Sequence, residues 1–478
     1  VNKMQAEVGV IGLGVMGYGF AMNLLDYDYR VAIVNWEKEV TQKVSRENED
    51  KPLIATYSLE EFVTKLERPR KIIMMVKAGE ATDNTINHLL PLLNEGDVLV
   101  NGGNTYFRET EATEEKVKTY GIHYIGMGVS GGEEGARYGA ALMPGGSQRG
   151  YELCQMQLEA LAAKAPQDGE PCVAYMGEGG AGHFTKMIHN GIEYSDSQLI
   201  AEGYWLLRYY LKLPVNEIAD LFREWDKGEL KSYLIGITAN ILDQYDEDGS
   251  PMIDVILDAA RSKGTGKWAS QTALDMGQPL TVVTEAVFMR YVSELKQQRL
   301  KAANILSGPQ VQFDGDKGKY IEKIRQTLYF AKIISYAQGF SAYQLADESY
   351  GYELNPKEIA KIFRAGCVIQ AELLDKIAHA YERTSDLENI LLDDYFASVT
   401  NEYQTAIRQV VSDAIMNGFS VNAMASAIGY FDSYRNENVS ANMVQAQRDY
   451  FGAHSYQRRD KEGNYHYHWD EAREERLS

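Results

Sequence analysis

Between positions 183 and 194 the chain reads His-Phe-Thr-Lys-Met-Ile-His-Asn-Gly-Ile-Glu-Tyr. Wound as a helix, this segment puts Lys186, His189, Asn190, Glu193 and Tyr194 at i, i+3, i+4, i+7 and i+8, one stripe along two turns. A stripe at that spacing is ordinarily apolar and faces a core. Here it carries a base, an acid, an amide and two hydrogen-bonding rings. A solvated charged face would have no need of His and Asn beside the charges. Such a set can take and return protons at one substrate.

Three glycine-rich turns could serve the same substrate. Gly128-Val129-Ser130-Gly131-Gly132 follows a strand end, where ligands bind in open α/β sheets. Asn101-Gly102-Gly103-Asn104 also ends a strand. Ser262-Lys263-Gly264-Thr265-Gly266-Lys267 is like a phosphate loop but too short for GxxxxGK[ST]. Taken alone, these last two read as ordinary turns.

A fourth glycine turn points to a dinucleotide. Val8-Gly9-Val10-Ile11 runs into Gly12-Leu13-Gly14-Val15-Met16-Gly17, and a helix is expected to begin there. This is GxGxxG in its strand–turn–helix context. Gly12 serves the tight turn, Gly14 the close approach of a pyrophosphate, and Gly17 the packing of helix on strand. The free N–H groups of the helix start would meet the phosphates. About 20 residues on, at the end of the second strand, stands Asn35-Trp36-Glu37-Lys38. Neither the Asp that marks NAD nor an Arg for a 2′-phosphate is present. Glu37 would repel a 2′-phosphate and Trp36 could stack on adenine, so the residues favour NAD over NADP.

These motifs need elements to hold them. In the first third, Val8–Ile11, Val31–Val34, 72–76, 98–100 and 123–125 read as buried parallel strands. Helical patterns lie between them at 17–26, 59–66, 81–93 and 109–120. The alternation predicts a doubly wound, Rossmann-like sheet. Gly177-Glu178-Gly179-Gly180-Ala181-Gly182 breaks the pattern. Long helices are then expected at 185–211, 215–225, 320–336 and 359–380. The last residues are polar, charged and aromatic. The predicted architecture is α/β plus all-α: a dinucleotide-binding domain over 1–179, a helical domain over 180–437 and a C-terminal tail over 438–478.

Composition narrows the class. With 48 Lys and Arg against 68 Asp and Glu, the 478-residue chain carries a formal charge of −20, which argues against a nucleic-acid binder. An anionic substrate must be met by a local basic cluster. No run of 18 apolar residues occurs, so no membrane span is expected. The N-terminus shows no signal-like segment. Three scattered cysteines, Cys154, Cys172 and Cys367, fit neither a disulfide framework nor a zinc site and point to a reducing, cytoplasmic setting. No His/Asp cluster suggests a metal.

In this order the pieces resemble the 6-phosphogluconate dehydrogenases, the decarboxylating enzymes of the pentose phosphate pathway. The resemblance covers nearly the whole chain. It includes Gly12–Gly17, Met75-Val76-Lys77-Ala78-Gly79, Gly102-Gly103-Asn104, Gly128–Gly132, Leu142-Met143-Pro144-Gly145-Gly146, Lys186–Tyr194, Lys263–Trp268 and the stretch Gln445–His454. It implies Lys186 as general base and then acid, and Glu193 as the acid that protonates the enediol. It implies substrate contacts from Asn104, Ser130, Gly131, Gly132, His189, Asn190 and Tyr194. Lys263, Thr265 and Arg290 would hold a phosphate from one subunit, and Arg448 and His454 would arrive from the other. Gly12, Leu13, Gly14, Val15, Met16, Gly17, Asn35, Trp36, Glu37, Val76, Lys77, Ala78 and Asn104 would surround NAD or NADP. The resemblance further implies a homodimer that exchanges its tails. Trp36-Glu37 departs from the Arg-Thr typical of NADP-using members, and Ala140-Ala141 from the usual Pro-Ser. The competing readings are a non-decarboxylating 3-hydroxy acid dehydrogenase, typically much shorter, and an inactive dinucleotide-binding relative.

Overall fold

A computed structural model describes residues 4–478. They form two compact units, the first running to Ala427 and the second spanning Ile428–Ser478.

The first unit opens on seven strands: β1 (Val8–Ile11), β2 (Val31–Val34), β3 (Leu53–Ala55), β4 (Lys71–Met74), β5 (Val98–Asn101), β6 (His123–Ser130) and β7 (Ala141–Gly146). Their order in the sheet is β3-β2-β1-β4-β5-β6-β7. The first six are parallel, and the reversal of order beside β1 is the crevice where such sheets bind ligands. Apolar side chains leave both faces. Val8, Val10, Val31 and Ile33 enter one core with Phe20 and Leu24 of helix α1 (Val15–Asp26), while Ile11, Ala32, Val34 and Met74 enter another with Phe62 and Leu66. Burial on two sides explains strands that are apolar without alternation.

Two strands exceed the sequence expectation. β3 is three residues long, and β7 contains Pro144-Gly145-Gly146, which reads as a turn. β7 forms because it pairs antiparallel with β6, Ile125 facing Gly146 and Ser130 facing Ala141.

The helical layer is built on α2 (Ala181–Trp205), α3 (Thr265–Met276), α4 (Thr281–Glu294) and α5 (Lys317–Tyr350). α2 and α5 are joined by polar groups inside the core. Lys332 Nζ sits 3.0 Å from Asp196, the Tyr336 hydroxyl donates to the same carboxylate at 3.0 Å, and the Tyr343 hydroxyl donates to the Thr185 carbonyl at 2.8 Å. The expected helix over 359–380 is two helices, Pro356–Ile362 and Glu372–Arg383. Gly366 lies at φ +69 between them, and its carbonyl accepts the N–H of Ala141 at 2.9 Å. The break thus docks an irregular segment, 363–371, against the start of β7.

Glu202 of α2 is 2 % exposed and caps the N-terminus of the helix Asn422–Arg435, accepting from Ala423 N–H at 3.0 Å and Met424 N–H at 2.9 Å. Burial pushes its carboxyl up to about 7, although Gln198 and both backbone donors act the other way. A carboxyl raised on folding stabilises fully below its unfolded value near 4.5 and loses that contribution as pH rises through about 7. Glu202→Gln should therefore remove a fall in stability of roughly 3 kcal/mol across that window. Urea unfolding at pH 5 and pH 8, parent against variant, measures it.

The second unit takes in the end of the helix Asn422–Arg435, then a further helix, α6 (Ala441–Gly452), and an antiparallel sheet of β8 (Tyr456–Gln457), β9 (Asn464–His468) and β10 (Arg473–Arg476).

Candidate active site

The glycine turn has the form a dinucleotide needs. Gly12 lies at φ +91, and a Cβ on Gly17 would come within 1.8 Å of the Gly12 carbonyl oxygen. A Cβ on Gly14 would meet nothing within 4 Å, so the backbone there is open to a ligand. Gly14 precedes α1, and no side chain caps that helix, which leaves its first N–H groups for an anion. A cavity of about 300 Å³ extends from Gly14, Val15, Met16 and Gly17 past Val76 and Gly103 to Asn104 and Val129. Asn35 accepts the Leu13 N–H at 3.0 Å and so ties the end of β2 to the turn. Trp36 and Glu37 stand exposed beyond it. Lys77 is exposed, with Val76 and Ala78 half-buried on either side. Asn101, which the sequence offered only as the start of a glycine turn, shapes that turn to Asn104 by accepting the Gly103 N–H at 3.0 Å.

All five residues of the stripe lie on α2. The helix runs along β6 with almost no side chains between them. A Cβ on Gly126 would stand 2.9 Å from the His183 ring, and one on Gly128 would stand 2.4 Å from Lys186 Cβ. Ser130, next on the same face, is 3.1 Å from His189 Nε2. Alternate residues of the strand thus receive every third residue of the helix.

Lys186 is 7 % exposed. Burial lowers its ammonium to about 8, against the opposing pull of Glu193. Glu193 is raised above the ordinary carboxyl range by burial, although Lys186, Arg290 and Lys263 favour its charge. The two groups are driven toward their neutral forms, the states a base and an acid must have before they act.

His189 is bonded through both ring nitrogens. Nδ1 lies 3.2 Å from Asn190 Oδ1, which can only accept, so Nδ1 carries a proton. Nε2 lies 3.1 Å from Ser130 Oγ, which also accepts the Val368 N–H at 3.4 Å. Burial, and then the charge of Lys186, hold His189 well below its ordinary range, in keeping with a neutral ring. Phe363 packs edge-on to that ring at 5.1 Å. The segment 363–371 escaped the sequence reading, and its one signal was Gly366.

Tyr194 gathers the cations. Its hydroxyl accepts the Lys263 N–H at 3.3 Å and bonds Ser262 Oγ at 3.1 Å. The Arg290 guanidinium lies over its ring, 3.5 Å from the centroid. Thr265 opens α3 after Gly264, which takes φ +92. Gly131 and Gly132, at φ +118 and +60, turn the chain out of β6 and open the following helix.

Arg448 and His454 belong to the second unit. Both are exposed, and the His454 N–H donates to the Arg448 carbonyl at 3.5 Å.

This arrangement has close counterparts. The family model for the NAD binding domain of 6-phosphogluconate dehydrogenase matches residues 7–177, and that for the 6-phosphogluconate dehydrogenase C-terminal domain matches 182–469. The decarboxylating 6-phosphogluconate dehydrogenase of Lactococcus lactis subsp. lactis is 54% identical over 466 residues, 97% of this chain and 99% of the relative. The NADP(+)-dependent, decarboxylating enzyme of Bacillus subtilis is 51% identical over 467 residues, again 97% and 99%. The solved structure of Plasmodium falciparum 6-phosphogluconate dehydrogenase, described in its apo form and with NADP+ and 6-phosphogluconate, superposes with a TM-score of 0.93 at 37% identity over 97% of this chain and all of that one. A buried lysine and a half-buried carboxyl two turns apart beside a dinucleotide cleft, in a chain matched over 97% of its length by such relatives, leave one assignment: this protein belongs to the 6-phosphogluconate dehydrogenase family.

Proposed function

We propose that the chain oxidises and decarboxylates 6-phosphogluconate to ribulose 5-phosphate and CO₂ while reducing NAD or NADP. The observation that carries the mechanism is the pair of buried Lys186 and half-buried Glu193, both driven toward neutrality on one face of α2. Neutral Lys186 takes the proton of the C3 hydroxyl as the C3–H bond breaks. The dinucleotide, when bound, supplies the acceptor for the hydride. The resulting 3-keto acid loses CO₂ because its carbonyl takes up the electrons. The ammonium of Lys186 stabilises that oxygen and returns the proton to it. Glu193 then protonates the carbon that becomes C1 of the product while neutral Lys186 takes the enediol O–H proton back, which leaves the ketone.

In this reading Asn104, Ser130, Gly131, Gly132, His189, Asn190 and Tyr194 orient the sugar acid. Lys263, Thr265 and Arg290 hold the phosphate. A second copy of the chain completes the grip with Arg448 and His454, so the working unit is a homodimer with exchanged tails. The three cysteines are free and buried, which suits a cytoplasmic protein, and among the described residues no helix is long and apolar enough to cross a membrane.

Initial rates on 6-phosphogluconate with NAD and NADP, together with CO₂ release, test the proposal. Reduced dinucleotide and CO₂ should form in equal amounts. Hydride transfer without CO₂ would mark a non-decarboxylating enzyme.

The same assay reads cofactor choice. Glu37 and the missing Arg at position 36 favour NAD, whereas the Bacillus relative is named for NADP. Trp36→Arg with Glu37→Thr should shift the ratio of kcat/KM values toward NADP by roughly 10- to 150-fold, the worth of one charge-assisted contact. A parent that already strongly prefers NADP would overturn the lean to NAD and make Lys38 the residue to test.

A further inference from the structure

The second unit contains a fully buried charge next to one of the proposed phosphate ligands. Asp449 follows Arg448 on α6 and is 0% exposed. Its Oδ1 accepts the Ser455 N–H at 3.0 Å and His466 Nδ1–H at 2.8 Å. Its Oδ2 accepts the Tyr467 N–H and the Trp469 Nε1–H, each at 3.0 Å. Every favourable acceptor direction of the carboxylate is used. Burial alone would raise this carboxyl, but the bonds from His466, Tyr467, Trp469 and Ser455 prevail and keep it below the ordinary range. It is an ion held by four N–H donors.

The four donors fasten what lies on either side of His454. α6 ends at Gly452, and Ala453 and Ser455 both take left-handed conformations, φ +49 and +63. Non-glycine residues adopt that region at a cost, and two within three positions require outside support. Asp449 supplies it at Ser455 and, through β9, sets the sheet against the helix. Gln445 adds a second tie: its Nε2 donates to the Ser455 carbonyl, and its Oε1 accepts from Arg448 Nη1 at 2.9 Å. The turn that bears His454 is therefore braced against the last turn of α6, next to Arg448, although both side chains are exposed.

We propose that Asp449 is a positioning residue for substrate phosphate: it fixes the turn that carries His454 against the helix that carries Arg448, so that the two together grip the phosphoryl group. The proposal rests on the reading that these two residues bind phosphate.

Asp449→Asn keeps the shape but turns an amide N–H₂ on two of the four donors. The expected result is a rise of about tenfold in KM for 6-phosphogluconate, with kcat and the KM for dinucleotide close to unchanged. The sharper readout is the ratio of kcat/KM for 6-phosphogluconate to that for unphosphorylated gluconate. It should fall by about tenfold in Asp449→Asn and in Arg448→Ala. A merely structural role would lower both substrates equally and leave the ratio where it was, which would overturn the proposal. If Arg448→Ala leaves the ratio unchanged, the phosphate reading fails. If Arg448→Ala lowers it and Asp449→Asn does not, only the positioning role fails. Should Asp449→Asn not fold, Trp469→Phe removes one donor of the four. A fall of about threefold in the ratio then supports the proposal, and no fall overturns it.

Discussion

Lys186→Met is expected to leave a folded protein that binds dinucleotide and has lost at least about 10²–10⁴ in kcat on 6-phosphogluconate. Methionine is close in length to the lysine stem and suits a 7 % exposed site against Gly128. It cannot take the hydroxyl proton or stabilise the oxygen that forms on decarboxylation. Stability should move the other way. A lysine lowered on folding contributes its stability only above its unfolded value of 10.5 and loses it as pH falls through about 8. At neutral pH the parent therefore carries a cost of roughly 3 kcal/mol that the variant lacks. Loss of rate with a raised unfolding midpoint cannot be mistaken for misfolding. In the parent, kcat/KM should fall as pH drops through about 8 and Lys186 takes up a proton, and the profile should also carry the ionisation of Glu193, whose carboxyl is raised by burial. The two apparent values belong to the pair. Glu193→Gln should slow incorporation of solvent label at C1 of the product. Activity in Lys186→Met comparable to the parent would sink the assignment.

The second large effect is a gain. Subunits carrying Lys186→Met, mixed with subunits carrying Arg448→Ala, should reach a kcat/KM on 6-phosphogluconate above that of either variant alone. A formal charge of −20 repels a doubly charged phosphate, and Lys263 and Arg290 are few cations to hold it. Arginine's planar fork suits the task. If Arg448 serves the neighbouring subunit, each mixed dimer has one site with both residues intact and one with neither. Tagged subunits and mass spectrometry establish that exchange has occurred. Verified mixed dimers no more active than the Arg448→Ala parent would show that Arg448 serves its own subunit.

The parts of this molecule legible in sequence are those set by neighbours in sequence. Gly12, Gly14 and Gly17 announce their turn because each answers a local steric demand. The stripe from Lys186 to Tyr194 announces itself because the helical period is local. What stayed hidden depends on distant partners. β7 looks like a turn at Pro144-Gly145-Gly146 and is a strand only because β6 pairs with it. The pattern over 359–380 is helical throughout, yet the helix stops where Gly366 bonds to Ala141. The Val368–Ser130 bond joins residues 238 apart and has no signature in either segment. The three strands after α6 were hidden for another reason: polar and aromatic residues alternate there as they do in many unstructured tails.

The bare glycine face of β6 bears on how the molecule melts. Helix α2 rests on backbone at Gly126 and Gly128, with no cushion of side chains to absorb a partial separation. The family models divide between 177 and 182, but compact structure continues unbroken to Ala427. Lifting the helix would strip the strand to solvent on that face and release Lys186 and His189 together. The sheet and the helical layer are thus one cooperative folding unit. Heat cannot disable the proton-transfer machinery while leaving an intact dinucleotide site behind.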